Sequence, residues 1–305
     1  ALSKLDLNNE TQVNAFLRGV LKPKIIDKIR FLYYNSLLSG PKSWIINFST
    51  NILNTAFSPI EKLSSAVVEV PKSLITGKQR QIYFGEIAQQ IFGIRQGFTE
   101  GVRLSLRAMT KGKSLEEASK YFETMRVQPF GVKTTAIVGA PTNIMEAGDA
   151  FAYGINRVMA LRGLAYKTAS LEKLKGTVLA ERVIELINNP TESLLKEAHN
   201  IAEYRLFRNP AGSVIKRAMR MRDADILGIQ PLQFLFPFIR TPSNIFKYGM
   251  ERSPLGILNP KIIKRFLAGT PEFSEQVGRW VIGSSIAAAL AIYVKDGIIT
   301  TSVPS

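Results

Sequence analysis

Apolar residues recur at intervals of three and four along much of the chain, which is the spacing of one face of an α-helix. The first clear case follows Pro23 and stops before Gly40 and Pro41, residue types that commonly open and close helices. Its apolar positions are Ile25, Ile26, Ile29, Leu32, Tyr33 and Leu37. This pattern predicts an amphipathic helix.

Helical spacing continues over most of the remaining sequence. We predict a helix from Ser43 to about Phe57 and a second from Pro59 to Val70, with Pro59 and Pro71 acting as breaks. Further helices are predicted at about 81–109, 143–169, 171–188, 191–206 and 271–295. Only the hexapeptides at 133–138 and 298–303 show weak strand patterns. The fold class is therefore all-α, extended or loosely bundled, with helices broken by proline and glycine.

The predicted helix at 81–109 carries two kinds of residue at helical spacing. One side holds Ile87, Ile91, Ile94, Phe98, Val102, Ser105 and Met109. Gly93, Gly97 and Gly101 recur every four residues, a spacing that permits close approach of a second helix.

The stretch 127–142 contains two prolines and two glycines without helical periodicity. We therefore predict a linker or hinge at 127–142, between an N-terminal helical region at 1–126 and a C-terminal helical region at 143–305.

An uncharged segment of eighteen residues lies between Lys42 and Glu61. Within it, uncharged polar residues form a stripe along one side of an otherwise apolar helix. The stripe consists of Ser43, Asn47, Asn51, Asn54 and Ser58. Such a stripe favours hydrogen bonding between packed helices, in water or in lipid. A buried helix is the interpretation we favour, and insertion into a bilayer is the alternative.

A second uncharged segment runs from Trp280 to Val294, between Arg279 and Lys295. Aromatic residues near both ends are typical of segments that meet membrane interfaces. Fifteen residues are short for a full span, and the segment is rich in alanine, glycine and serine. A buried core helix is therefore favoured, with conditional membrane insertion as the alternative.

Charge points to polyanionic partners. The chain of 305 residues is 46% hydrophobic and carries a formal net charge of +16. The basic stretch 213–265 supplies candidate contacts to DNA or lipid phosphates. These are Lys216, Arg217, Arg220, Arg222, Arg240, Lys247 and Arg252. A mean hydropathy slightly above zero, in spite of this charge, favours a membrane partner.

Residues for catalysis are scarce. Cysteine is absent and His199 is the only histidine, which excludes thiol chemistry and cysteine-bound zinc. The tetrad KGKS at 111–114 resembles the end of a phosphate-binding loop, but Arg107 stands where that motif needs glycine. We expect His199 to be an ordinary hydrogen-bonded or surface residue. Asp149 lies eight residues before Arg157, about two helical turns, and we expect it to pair with a neighbouring arginine in a helix interface. The sequence predicts no enzyme activity, no cofactor and no metal site.

Two segments resemble recurring parts of a known family. They are FLYYNSLLSGPKSWIINFSTNIL at 31–53 and FPFIRTPSNIFKYGMERSPL at 236–255, and they are similar to segments of the internal virion, or ejection, proteins of short-tailed bacteriophages. The segment EAGDAFAYGINRVMALRGLAYKTA at 146–169 and the DGIIT at 296–300 fit the same family more loosely.

The resemblance implies a structural protein carried in the capsid near the portal. After ejection it would help to form a conduit for genome delivery across the host cell envelope. Implied partners are further copies of itself, the portal and other internal virion proteins, the host membrane, and genomic DNA through non-specific contacts. Because the sequence starts at Ala1 and ends without a closing helix, we expect one region of a longer polypeptide.

Two other roles stay open. One is a sequence-independent DNA-binding packaging module, which the charge supports but which leaves the uncharged segments unexplained. The other is a non-catalytic scaffold region of a larger phage enzyme.

Overall fold

The computed structural model describes residues 24–111, 137–225, 230–257 and 270–297, and the single positions Phe130, Thr134, Lys264, Arg265 and Ala268. Its helices are α1 (Ile25–Leu38), α2 (Pro41–Thr76), α3 (Phe84–Lys111), α4 (Ala140–Leu171), α5 (Gly176–Asn188), α6 (Glu192–Arg205), α7 (Ser213–Arg222), α8 (Leu232–Leu235), α9 (Arg240–Arg252), α10 (Pro254–Ile257) and α11 (Pro271–Lys295).

The described residues form helices, turns and bends, with no strand among them, which confirms the all-α class. The weak strand candidate at 298–303 lies outside the described residues. Half of the candidate at 133–138 does so too, and its described positions, Thr134, Ile137 and Val138, are helical. Half of the predicted linker at 127–142 also lies outside the described residues, and its last three residues belong to α4.

Helix α2 is longer than the sequence predicts, because it runs through both prolines that we expected to break it. A proline inside a helix removes one backbone hydrogen bond and crowds the preceding turn. Side-chain bonds join this helix to other segments of unit 2: Asn54 Nδ2 donates to the carbonyl of Arg205, and Lys72 Nζ donates to that of Thr270. Gly77, at a φ of +64°, follows the last residue of α2, where a left-handed residue commonly ends a helix.

The glycines of α3 allow close contact with α4, which confirms that prediction. A Cβ on Gly93 would lie 2.9 Å from Cα of Met159, and a Cβ on Gly97 would lie 2.7 Å from Cα of Ile155. Both distances are too short for carbon atoms without displacement of the backbone. The absence of side chains at these positions therefore sets the distance between the two helices.

By spatial contacts the chain divides into two units, each made of three chain segments. Unit 1 comprises 1–51, 101–151 and 210–242, and unit 2 comprises 52–100, 152–209 and 243–305. The predicted boundary at 127–142 stays a prediction.

Unit 1 holds an aromatic cluster between α1 and the residues around α8. The hydroxyl of Tyr33 donates to the carbonyl of Phe234 at 2.8 Å, and the Tyr34 ring lies 5.8 Å from that of Phe238. Helix α4 also contacts α1, because Thr142 Oγ1 donates to Asn35 Oδ1 at 2.7 Å. These contacts position the segment that leads into α9.

Unit 2 contains an ordinary apolar core where the second half of α4 meets α5 and α6. Its buried residues are Ala160, Leu164, Ala165, Ala169, Val183, Leu186, Leu194 and Ala198. Small alanines on α4 let the larger side chains of the other two helices fit against it. Helix α6 starts at Thr191, whose hydroxyl accepts from the backbone N–H of Leu194 as a capping residue does.

Candidate functional site

Helices α2 and α3 of unit 2 turn large apolar side chains outward. We call these residues the apolar outer face. On α2 they are Ile52, Leu53, Ile60, Leu63 and Val67, and on α3 they are Ile91, Phe92, Ile94 and Phe98. Phe92 is 64% exposed and Ile52 is 63% exposed. Burying one such side chain stabilises a protein in water by roughly 1.5–3 kcal/mol, so the outer face leaves a large stabilisation unused.

The opposite side of α2 is polar and faces the interior. Of the stripe predicted from the sequence, Asn51, Asn54 and Ser58 are buried, whereas Ser43 and Asn47 are half-buried. In unit 1, Asn51 Nδ2 donates to Asp149 Oδ1 at 2.9 Å and to Asn47 Oδ1 at 3.2 Å. In unit 2, Asn54 donates to the carbonyl of Arg205. The three asparagines of the stripe therefore bind other polar groups of the protein.

The stripe continues past Pro59 with charged residues that the sequence analysis did not include. Lys62 Nζ lies 3.1 Å from Glu86 Oε2 of α3 and 3.3 Å from Glu275 Oε1 of α11. One half-buried ammonium group thus joins three helices of unit 2. A spacing signal was present, because Ser58, Lys62, Ser65, Glu69 and Lys72 extend the same series of threes and fours. Taking Pro59 as a break concealed it.

The next turns of α2 hold a fully buried ion pair. Glu69 and Lys72, whose side chains are 0% and 2% exposed, approach to 2.6 Å. The second carboxylate oxygen of Glu69 accepts from the backbone N–H of Gln81 at 3.0 Å. The hydroxyl of Ser274 on α11 donates to the oxygen that faces Lys72. These hydrogen bonds reduce the large cost of removing the charges from water.

A further polar cluster links α2, α6, α9 and α11. Arg252 donates to both carboxylate oxygens of Glu61, at 2.7 and 2.8 Å, in the bidentate geometry that arginine favours. The neighbouring Glu251 accepts a short hydrogen bond from the Tyr204 hydroxyl and lies 3.7 Å from Arg279. The interior of this part of unit 2 is therefore joined by ion pairs and hydrogen bonds.

The remaining polar residues singled out from the sequence also have partners. His199 Nδ1 lies 2.8 Å from the Tyr153 hydroxyl, and the two rings meet edge to face. Asp149 accepts from Asn51, as described, and Arg157 lies 3.7 Å from Glu100. Among the described residues there is no group of three side chains able to hold a metal ion.

The candidate polyanion contacts fall into two sets. Lys216, Arg217 and Arg220 are exposed on α7, and Lys247 is exposed on α9, 3.8 Å from Glu251. Arg222 and Arg240 are buried and Arg252 is half-buried. Arg222 donates to Asp223 and to the carbonyl of Pro237, and Arg252 binds Glu61. Only the exposed set is free of the interior and able to reach a large polyanion.

Helix α11 is long and apolar enough to cross a membrane, and in the part of the chain that the structure describes it is the one helix with this property. Only 6% of its most apolar window is buried. We favoured a buried core helix here from the sequence; instead, the residues from Ala287 to Lys295 are exposed on every side. A fully exposed apolar helix is out of place in water.

The chain matches no protein-family model, no curated protein and no solved structure. Fold and side-chain placement therefore carry what can be inferred about its role.

Proposed function

We propose that this chain is a structural, non-catalytic region of a phage internal virion (ejection) protein. It travels in the capsid near the portal with other internal virion proteins and, after ejection, helps to build an oligomeric conduit for the genome across the host cell envelope. Its outer faces then lie against lipid, and its charged surface helices lie near phosphate groups.

The observation that carries the proposal is the reversed polarity of α2, to which α3 contributes four exposed apolar residues beside the exposed Arg95. Their apolar outer face is exposed, whereas Lys62, Glu69, Lys72 and Glu86 are enclosed. In lipid, apolar side chains no longer need burial inside the protein, and helix packing relies on small residues and hydrogen bonds. The glycine contacts between α3 and α4, and the polar stripe of α2, are interactions of that kind.

Helix α11 adds independent support. Its 25 residues extend about 37 Å at 1.5 Å per residue, of which the uncharged segment Trp280–Val294 supplies about 22 Å. Crossing a hydrocarbon core of about 30 Å therefore also requires turns on the Arg279 side of the helix. Lys295 at its last turn is positioned to reach a phosphate layer by extending its side chain.

The resemblance to ejection proteins points the same way. The two segments that carry it, 31–53 and 236–255, contact each other in unit 1 through the rings of Tyr34 and Phe238. Residues that are distant in sequence and share the resemblance thus belong to one packed cluster.

A flotation experiment tests the proposal. The purified chain is mixed with vesicles of neutral phosphatidylcholine at high salt, so that charge attraction is screened. We expect it to float with the vesicles and to release an entrapped dye. Replacing Ile91→Ser and Phe92→Ser on the apolar outer face should weaken vesicle binding about 100-fold, because each loses the burial of a large side chain.

The matched control is Val178→Ser with Ile184→Ser. These two residues are similarly exposed, but they lie on α5, next to the ordinary apolar core. We expect this variant to float like the wild type. Equal losses in both variants would mean that exposed apolar residues bind vesicles without regard to position, and a wild type that stays at the bottom would rule out the conduit.

A sequence-independent DNA-binding module is the second candidate, and the exposed basic side chains of α7 favour it. It predicts that double-stranded DNA removes the chain from vesicles and that DNA affinity falls steeply as salt rises. Release of the chain by DNA or by salt would therefore move the assignment to a DNA-contacting role inside the capsid.

A further inference from the structure

On helix α7 of unit 1, the exposed basic residues and the exposed apolar residues lie along different edges. At 100° per residue, Lys216, Arg220 and Arg217 follow one another around its outward side, and Met221 and Val214 continue from Arg217. Met221 is 70% exposed and Val214 is 73% exposed. The inward side carries Arg222, which is buried. The outward side is thus basic along one edge and apolar along the other.

The segment around α8 adds two more apolar residues. Phe234 and Phe238 point inward and contact Tyr33 and Tyr34, at ring distances of 5.5 and 5.8 Å. Leu235 and Phe236, which lie between them in sequence, are exposed. Because the inward phenylalanines hold the segment to α1, the exposed pair is presented from a fixed backbone.

Hydrogen bonds fix this segment beside the end of α7. Arg222 Nη1 donates to the carbonyl of Pro237 at 3.2 Å, and Gln233 Nε2 donates to Asp223 Oδ1 at 2.9 Å. Arg222 Nε also donates to Asp223 at 2.8 Å. These bonds bring Met221 and its neighbours to the segment that carries Leu235 and Phe236. The basic residues of α7 and the apolar residues Met221, Leu235 and Phe236 therefore lie in one corner of unit 1.

We propose that this corner is a docking surface for the face of an anionic lipid bilayer. Lys216, Arg217 and Arg220 would bind headgroup phosphates, while Met221, Leu235 and Phe236 enter the boundary between headgroups and acyl chains. An amphipathic helix with bases beside apolar residues is suited to that interface. DNA would also attract the three basic side chains, but its phosphate backbone provides no apolar surface on which the three apolar residues could be buried.

This inference deepens the proposed function, because it names the lipid class that unit 1 recognises at the envelope. It differs from the insertion attributed to the apolar outer face, which does not depend on headgroup charge. The two can therefore fail separately: insertion is measured on neutral vesicles at high salt, and docking is measured as the additional binding that anionic lipid provides at low salt.

The test compares two triple variants of the full chain with the wild type. One is Lys216→Glu, Arg217→Glu and Arg220→Glu, and the other is Met221→Ser, Leu235→Ser and Phe236→Ser. Binding is measured to vesicles of phosphatidylcholine, to vesicles in which part of that lipid is replaced by phosphatidylserine, and to double-stranded DNA. All six residues are exposed, so both variants should keep the helical circular dichroism of the wild type.

We expect the charge variant to lose about 100-fold of its affinity for anionic vesicles, since each base near such a surface contributes roughly a factor of five. The apolar variant should lose at least about tenfold on the same vesicles and bind DNA as the wild type does. If the additional binding to anionic over neutral vesicles at low salt survives either triple change, the proposal is overturned. If the charge variant loses DNA binding and retains vesicle binding, the three basic residues contact nucleic acid instead of lipid.

Discussion

Two parts of unit 2 are packed according to opposite rules. Where α4 meets α5 and α6, leucines, valine and alanines are buried, and an ion pair between Arg182 and Glu172 lies on the surface. Where α2, α3 and α11 meet, ion pairs such as Glu69 with Lys72 are buried, and isoleucines and phenylalanines are exposed. The first arrangement is that of a protein in water, and the second is that expected for helices in lipid.

Solvent explains the contrast better than sequence composition does, because both parts contain apolar and charged residues at helical spacing. In water, burial of apolar area is the main stabilising contribution, and a buried ion pair adds little. Without water outside, the apolar contribution between helices disappears and polar contacts inside become the specific ones. Under the proposed function, the α4–α6 region would stay in an aqueous phase while α2, α3 and α11 contact the bilayer.

The largest effect should come from breaking the buried ion pair. Glu69→Gln keeps the shape of the side chain but leaves Lys72 as a buried cation without its carboxylate, a change that costs about 3–5 kcal/mol in other proteins. Urea unfolding followed by circular dichroism measures the loss. Adding Lys72→Met to Glu69→Gln should recover much of it, because the uncompensated charge is then gone.

The control for this variant lies in the other part of unit 2. Glu185→Gln removes an exposed partner of Arg182, which keeps its contacts with Glu172. We expect no resolvable change in the unfolding free energy. If both single variants cost the same, the distinction between the two parts of unit 2 is wrong.

A smaller effect is expected from the glycine contact. Gly97→Ala places a Cβ against the backbone of Ile155, so α3 and α4 must separate, at a cost of about 1–3 kcal/mol. Gly249→Ala is the matched control, because Gly249 lies inside α9 with nothing within 4 Å of the added carbon. That variant should gain up to about 1 kcal/mol from helix propensity alone. Opposite signs in the two urea midpoints would support the packing, and a neutral Gly97→Ala would contradict it.

Local rules of sequence go far towards this fold and stop at one identifiable point. Periodicity predicts the helices, and the spacing of Gly93 and Gly97 predicts close approach of a second helix, which the structure identifies as α4. The sequence predicts the polar stripe as far as Ser58, but not its charged continuation, because Pro59 was expected to end the helix. A proline removes one hydrogen bond from a helix, and only the tertiary contacts decide whether the helix continues in spite of that loss. Nor does periodicity say which side of α2 faces inward, because that depends on the solvent around the helix.

The smallest effect should appear at the surface of unit 1, where a carboxylate is only partly enclosed. Burial opposes the change, but hydrogen bonds from Arg222 and Gln233 hold the pKa of Asp223 below its ordinary value of 3.8. A carboxyl group whose pKa is lower in the folded state stabilises that state above its unfolded pKa, and the contribution disappears as the pH falls through the folded pKa. The wild type should therefore be more stable than Asp223→Asn at pH 7, and the difference between their urea midpoints should shrink below about pH 4.

Other carboxyl groups titrate alike in both proteins, so their contributions cancel in this difference. In contrast to Glu69→Gln, the loss at pH 7 should be small, because water screens this partly exposed pair. A midpoint difference that is independent of pH would show that the contact acts through shape rather than charge. A loss as large as that of Glu69→Gln would mean that enclosed and surface ion pairs contribute equally. The lipid-facing role proposed for α2 would then lose its support.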